Sequence, residues 1–492
     1  MKHGAVDKKA RVAIIGCGTY GSYLLKRLLE TAGDRVEVAV IEVGDEKVRS
    51  EAEMGFRSES SFGRAAREGR YFGLGGTSAR WGGQLLFFDR RDNPANDPDW
   101  QKIVENNQKY QLRVVENLIG KAGAARFASS PDNLSSPVKK GVWLKYQKRN
   151  LYKMLAPAQL ARVRMLKNQR VTGCEPGPDG QLRSVICRSR SGAETRVEAD
   201  VFYLTAGAME SCRLLWQFRE AHGLPIAEGL GKNYGDHISV ELFKILGHPP
   251  GLLGADMLPV LTGGNLITKR LVVASKSGQI GFAHAVLNKE VRVFSSIKSF
   301  LFGKQKVDFS LRDIITGVEF LFRFAFSVFF LKKMYAHRNR WSLQLDIEQP
   351  FPNPNLIGLS DTPPDDFGQK PVRVDWCVSL EDRRAIAEVQ ADLAEKLRAE
   401  GIAFVSVHGA EVGSSKAEDV YHPAGFMRMG SDAAAVLGLD CRVRGVGNLF
   451  HFSTAMFPSA RSINSTGAGF CFIEAHLESF FDKKSTNFEN AD

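Results

Sequence analysis

Ala13–Leu25 reads AIIGCGTYGSYLL, and this stretch decides the fold. Arg11–Gly16, RVAIIG, is a β-branched apolar run of buried-strand length. Gly16, Gly18 and Gly21 complete the pattern G-x-G-x-x-G. Tyr20, Leu24, Leu25, Leu28 and Leu29 then recur at helical spacing, and Arg35–Glu42, RVEVAVIE, reads as a second strand. Strand, glycine turn, helix and strand in that order predict a dinucleotide-binding unit. Gly16 permits the tight turn, Gly18 lets backbone approach a pyrophosphate, and Gly21 lets helix and strand pack closely. The helix start at Thr19 and Tyr20 offers free N–H groups and a positive dipole end to the phosphates. Glu42 stands where an acid accepts a ribose hydroxyl, and its charge disfavours a 2′-phosphate. The motif alone leaves nicotinamide and flavin dinucleotides both open.

A chain of 492 residues exceeds one compact core, which predicts two or three domains. Lys and Arg number 66 against 55 acids, a net charge of +11, yet no basic block or basic helix with interleaved aromatics occurs. Nucleic acid is therefore not an expected partner. The seven cysteines form no C-x-x-C pair, and no apolar leader precedes the glycine motif. Reduced thiols and a cytoplasmic location are the expectation.

Tyr71–Gln84, YFGLGGTSARWGGQ, is a second glycine-rich stretch. A nicotinamide site does not need one, whereas a large flat cofactor needs backbone to pass close by. From here the chain resembles the glucose–methanol–choline (GMC) oxidoreductases, a family that binds FAD. Gly76, Thr77 and Ser78 followed by Trp81, Gly82, Gly83 and Gln84 are most similar to its pyranose oxidase and sugar dehydrogenase subgroup, in which this loop lies along the isoalloxazine ring. The resemblance continues in family order. KNQRVTGC carries the counterpart of an adenine-contacting residue, Val171. VFYLTAGAMESCRLLW carries Ala206, Gly207 and Ser211, and GLGKNYGDHISV carries Asp236 and His237. YHPAGFMRMG and VGNLFHFSTAMFPSARSINSTGAGF match the C-terminal block, with Ser453, Thr454, Asn464 and Thr466 near the cofactor.

Alcohol oxidation beside a flavin needs a base for the hydroxyl proton and a group that holds the oxygen. A neutral histidine suits the first task and an amide the second. The resemblance puts His422 and Asn464 in these roles. His237 matches a family position but reads as a packed residue, and the alternating strand NLFHF favours a structural role for His451. Four departures from the family pattern stand out. Arg80 precedes Trp81 where pyranose oxidase has its flavin-linked histidine, which implies non-covalent FAD. Asn464 is followed by Ser465 instead of proline. Ser453 replaces an acid near the flavin pyrimidine. Phe426 replaces a usual threonine and is expected to reshape the pocket wall.

The expected architecture is α/β: a discontinuous Rossmann-like FAD-binding domain plus a substrate domain of antiparallel sheet and helices. The expected spans are 1–95, 160–237 and 418–492 for FAD, 96–159 for a connecting or lid segment, and 238–417 for substrate. The implied function is oxidation of a CH–OH group, on a sugar or glycoside, with oxygen or another acceptor taking the electrons. The same chemistry on a sterol or lipid alcohol, and a flavin-containing lyase of the hydroxynitrile lyase type, are the alternatives. Leu311–Lys333, LRDIITGVEFLFRFAFSVFFLKK, is apolar nearly all round except for Glu319 and Arg323. A buried helix, a membrane-surface anchor, a lid and an oligomer contact are its open readings.

Overall fold

The computed structural model describes residues 9–61, 68–128, 137–253, 255–262, 265–288, 311–407 and 417–489. Its architecture is α/β, with the two layers of chemistry expected from the sequence built on two sheets. The first sheet has five strands in the spatial order Leu449–His451, Val201–Leu204, Ala10–Ile15, Val36–Glu42 and Val163–Lys167. All four pairings are parallel. Helices cover such a sheet, so its strands read as continuous apolar runs. Val12, Ala13, Ile14 and Ile15 are accordingly all buried. The helix Thr19–Ala32 returns the chain between the first two strands and buries Leu24, Leu25 and Leu28. The C-terminal helix Thr466–Glu489 packs against it, with Phe470 stacked on Tyr23 at 4.2 Å and the Tyr23 hydroxyl donating to Glu474 at 2.7 Å.

The second sheet is antiparallel. Its main path runs Phe404–Ser406, His237–Ile245, Trp341–Glu348, Ile280–Leu287, Asn265–Ala274, Val138–Trp143 and Gln84–Leu85. The helix Leu380–Ala399 starts at a capping box formed by Ser379 and Asp382, and Asp382 also accepts a bond from Gln279 of the sheet. The strand Val138–Trp143 lies inside the segment expected to connect, yet it pairs along its length with Asn265–Ala274. Its basic sequence, VKKGVW, hides this role, because Lys139 is buried and neutralised by acids distant in sequence.

The apolar segment forms the helix Leu311–Phe326 with a closing turn at Ser327–Leu331. Among the described residues, no helix is long and apolar enough to cross a membrane. All seven cysteines are free.

Candidate active site

The glycine motif sits at the carboxyl ends of the parallel strands. Gly16 has φ +92°, and a Cβ there would lie 2.5 Å from the Ala206 Cα. Gly21 is tighter still, since a Cβ would stand 2.0 Å from the Gly16 carbonyl oxygen and 2.8 Å from Thr205 Oγ1. At Gly18 a Cβ would meet nothing within 4 Å. The helix Thr19–Ala32 begins there without a side-chain cap. Open space, bare backbone and uncapped N–H groups coincide at Gly18, an arrangement able to cradle a pyrophosphate. The helix Ala208–His222 also starts uncapped, at Gly207 with φ +90°. Inside it the buried Ser211 hydroxyl has no partner among the described residues.

The second glycine loop lies directly on the first. A Cβ on Gly76 would stand 2.9 Å from the Gly18 Cα, and Gly75 N–H donates to the Cys17 carbonyl at 2.8 Å. Glu42 ties both loops together, accepting from the N–H groups of Cys17 (2.8 Å), Gly44 (3.0 Å) and Gly73 (3.0 Å). This stitching role is not visible in the motif, which reads Glu42 only as a ribose acceptor. Val171 is buried in the strand Gln169–Pro176, just beyond Asn168, whose N–H donates to the Gly44 carbonyl at 3.0 Å. Tyr20 is buried edge-on against Phe470, so the helix carrying Thr466 closes the same side of the cradle.

Several side chains expected at the cofactor are engaged elsewhere. Ser78 Oγ donates to the Gly75 carbonyl and accepts from Leu151 N–H. Ser453 caps the short turn Thr454–Met456 and bonds His451 Nε2 at 2.7 Å. Gln84 donates to Thr268 at 2.7 Å and accepts from Arg270 at 2.8 Å. Trp81 Nε1 donates to the Arg149 carbonyl at 2.8 Å, and a Cβ on Gly82 would lie 3.1 Å from Trp143 Nε1. Gly83 takes φ +76°, which turns the chain into the second sheet. Thr77 and Arg80 are exposed, and Thr454 is half-buried. Phe426 is fully buried and stacks on Tyr234 at 5.0 Å.

His422 is held beside the start of the strand His237–Ile245. Gly235 and Ala424 exchange backbone bonds of 3.0 and 2.8 Å, clamping the two segments together. The buried Asp236 carboxylate accepts from the N–H groups of His237 (2.7 Å) and His422 (3.0 Å). The rings then meet, with His237 Nδ1 and His422 Nδ1 3.2 Å apart. The tautomers follow from the partners. The Arg461 carbonyl, 2.6 Å from His237 Nε2, can only accept, so that nitrogen carries the proton. Burial pushes His237 down to about 4, leaving it neutral with a bare Nδ1. His422 must therefore donate from Nδ1. Burial, then His237 and Arg270, hold His422 well below the usual histidine range, so it too is neutral. Its Nε2 keeps a lone pair. His237, expected only to pack, sets this tautomer. His451 is a satisfied core residue, bonded at Nδ1 to the Leu204 carbonyl at 2.8 Å.

The loop Arg461–Ser465 carries Asn464 and is locked from beneath. Asp92 accepts from Ser462 Oγ and N–H, and Lys139 Nζ donates to Asp92 and to Ser462 Oγ. Asn464 Oδ1 is buried with no partner among the described residues, as is Ser465 Oγ. Such orphaned acceptors are expected where a cofactor or substrate completes the bonding. His237, through Arg461, links this loop to His422.

Sequence reasoning missed the polar face of the second sheet. Directly paired residues share a face, and alternation extends it. Ser239, Asp346 and Phe282 are in register across neighbouring strands, and Arg270 faces Lys139. His237, His284 and Arg270 therefore line one surface. A lone arginine in the alternating run LITKRLVV is a faint signal, and only strand pairing shows what it faces.

Residues 352–470 match the family model described as GMC oxidoreductase, its C-terminal domain. The matched span contains both His422 and Asn464. Uncharacterized GMC-type oxidoreductases of Mycobacterium bovis and Mycobacterium tuberculosis are 24% identical over 361 residues, 70% of this chain.

The chain is similar to GMC oxidoreductases, over residues 352–470 by the family model and over 361 residues by these relatives.

It spans 61% of the length of those curated relatives. Among solved structures, pyridoxine 4-oxidase from Mesorbium loti has a TM-score of 0.60 at 16% identity, covering 96% of this chain and 99% of that one. Formate oxidase of Aspergillus oryzae RIB40 has a TM-score of 0.53 at 13% identity, covering 96% and 98%. At these identities the likeness is one of fold. GMC oxidoreductases bind FAD, and the cradle at Gly18, the uncapped helix starts and the orphaned Ser211 and Asn464 oxygens fit a dinucleotide of that kind.

Proposed function

We propose that the chain is an FAD-dependent oxidoreductase that oxidises a CH–OH group of a sugar or glycoside. The observation that carries this reading is the bare Nε2 of neutral His422, fixed by the chain of bonds from Arg461 through His237. His422 takes the hydroxyl proton at that nitrogen. Asn464, in the loop from Arg461 that His237 links to His422, turns its amide to the substrate oxygen and holds it without titrating. Bound FAD supplies the acceptor for the hydride that leaves the carbon. The face of the second sheet shields the reacting groups from water. The sugar assignment rests on the likeness of the Trp81–Gly83 loop to sugar-oxidising members; oxygen or another acceptor completes the cycle.

The test is anaerobic mixing of the flavin-loaded protein with sugars, glycosides and long-chain alcohols, following the flavin absorbance. Bleaching by a sugar supports the reading. Bleaching only by long-chain alcohols replaces the substrate class, and a yellow protein that no alcohol bleaches points to lyase chemistry. The same preparation tests attachment of the cofactor. With Arg80 exposed ahead of Trp81, acid precipitation is expected to release all the FAD into the supernatant, and a yellow pellet would show a covalent bond.

A contact with a membrane surface is also proposed, through Leu311–Lys333. Val318, Phe322, Phe326, Phe329 and Phe330 recur at helical spacing and are between 51% and 76% exposed. Exposed Lys332, Lys333, Arg338 and Arg340 follow. An apolar stripe with basic residues beside it suits the interface of an anionic bilayer. Phe322→Ser with Phe330→Ser is expected to lower the fraction sedimenting with phosphatidylserine vesicles by about tenfold or more, each lost phenylalanine contact being worth roughly 1.5–3 kcal/mol. Equal sedimentation of variant and parent would rule the contact out.

A further inference from the structure

The polar sheet face over the histidine pair holds a positive charge, Arg270, with Asp346 nearby but in no direct ion pair with it. Arg270 presents five N–H donors, and one is engaged, from Nη2 to Gln84 Oε1 at 2.8 Å. Gln84 is itself anchored by Thr268, so it holds the guanidinium in place. Arg270 Nε is buried with no partner. No carboxylate pairs with Arg270 among the described residues. The nearby acid, Asp346, accepts from Ser239 Oγ and lies 3.9 Å from His284 Nδ1. The guanidinium stacks over Phe282 at 4.9 Å, and the same ring meets His237 edge-on at 5.4 Å. One aromatic ring thus separates a guanidinium with free donors from the histidine pair.

We infer that Arg270 is the specificity residue of this site and that the alcohol it selects carries a carboxylate, as a hydroxy acid or sugar acid does. The inference rests on the proposed alcohol oxidation and narrows its substrate. A partly buried guanidinium costs free energy unless an anion satisfies it. Its planar fork matches a carboxylate through two parallel bonds. One guanidinium balances one negative charge, and the neighbouring cation, Lys139, is already committed to Asp92 and Asp89. Burial also pushes Arg270 down to about 10, so it remains charged at neutral pH and gains from an anionic neighbour. A substrate anchored at Arg270 by its carboxylate would lie across Phe282 toward His422, which orients the molecule by its two ends.

The experiment uses flavin-loaded enzyme and a panel of hydroxy acids and sugar acids, each paired with its primary amide. kcat/KM is measured for both members, and acetate and acetamide binding are measured by calorimetry. The acid is expected to exceed its amide by roughly 10- to 100-fold, the value of a charge-assisted pair. Acetate is expected to bind and acetamide not. Arg270→Gln should collapse the acid-to-amide ratio toward one, and Arg270→Lys should retain part of it. A purely structural arginine would slow both members alike and keep the ratio, and that result overturns the inference, as do equal rates for acid and amide in the parent. If no panel member bleaches the flavin while acetate binding still depends on Arg270, the anion site stands and the alcohol-oxidation reading falls. If acetate binding does not depend on Arg270, the inference falls whatever the activity.

Discussion

His422→Ala is expected to slow substrate-driven bleaching of the flavin by about 10²–10⁴-fold, the range of a lost general base, with flavin content unchanged. In the proposed mechanism His422 acts on the substrate and takes no part in the glycine cradle, so rate and cofactor binding should separate. A variant that bleaches at close to the parent rate would remove His422 from the mechanism. The pH profile gives a second check. The reactive form is the neutral ring, which prevails above its pKa. Because burial, His237 and Arg270 depress that pKa well below the ordinary 6.5, the rate of flavin reduction should stay level as pH falls through 6.5 and decline only at lower pH. A decline centred on pH 6.5 would mean that the base titrates as a solvent-exposed histidine. His237→Phe should degrade this profile as well as the rate, since His422 would lose the acceptor that fixes its Nδ1 proton.

The glycine motif yields the largest expected effect on the protein itself, and its two glycines should fail differently. Gly21→Ala would place a methyl 2.0 Å from the Gly16 carbonyl oxygen, where only backbone movement could relieve the clash. A loss of roughly 3 kcal/mol or more is expected, read as a lower melting temperature of protein stripped of FAD. Gly18→Ala adds a methyl that meets no protein atom, at an ordinary φ of −76°. Its melting temperature without FAD should match the parent within a few degrees, while its FAD affinity should fall about tenfold or more, since the methyl projects into the cradle. Equal FAD affinity for Gly18→Ala and the parent would show that the pyrophosphate does not pass there.

Local patterns made much of this protein legible. A β-branched run before G-x-G-x-x-G, a 3.6-residue period after it and a second apolar strand specify a parallel unit. Each step is decided by near neighbours in the chain, and the five-stranded sheet has that order. His422 and Asn464 came from motif likeness, which keeps residue identity but not surroundings. What it could not convey were the partners of each side chain. Ser78, Ser453 and Gln84 carry suitable polar groups, yet their bonds go to Leu151, His451 and Arg270. His237 reads as a packed residue until the fold brings Arg461 and His422 against its two nitrogens, from 224 and 185 residues away.

The amino-acid sequence by itself determined the dinucleotide unit and the residue types able to do the chemistry, because both depend on spacing within a few turns of chain. The tertiary structure alone decided which histidine nitrogen is bare, which acceptors are left unpaired, and that Arg270 makes no direct ion pair among the described residues. Those properties arise from strand register and burial between segments hundreds of residues apart, where hydrogen-bond partners and local dielectric are set by the fold and not by the neighbouring sequence.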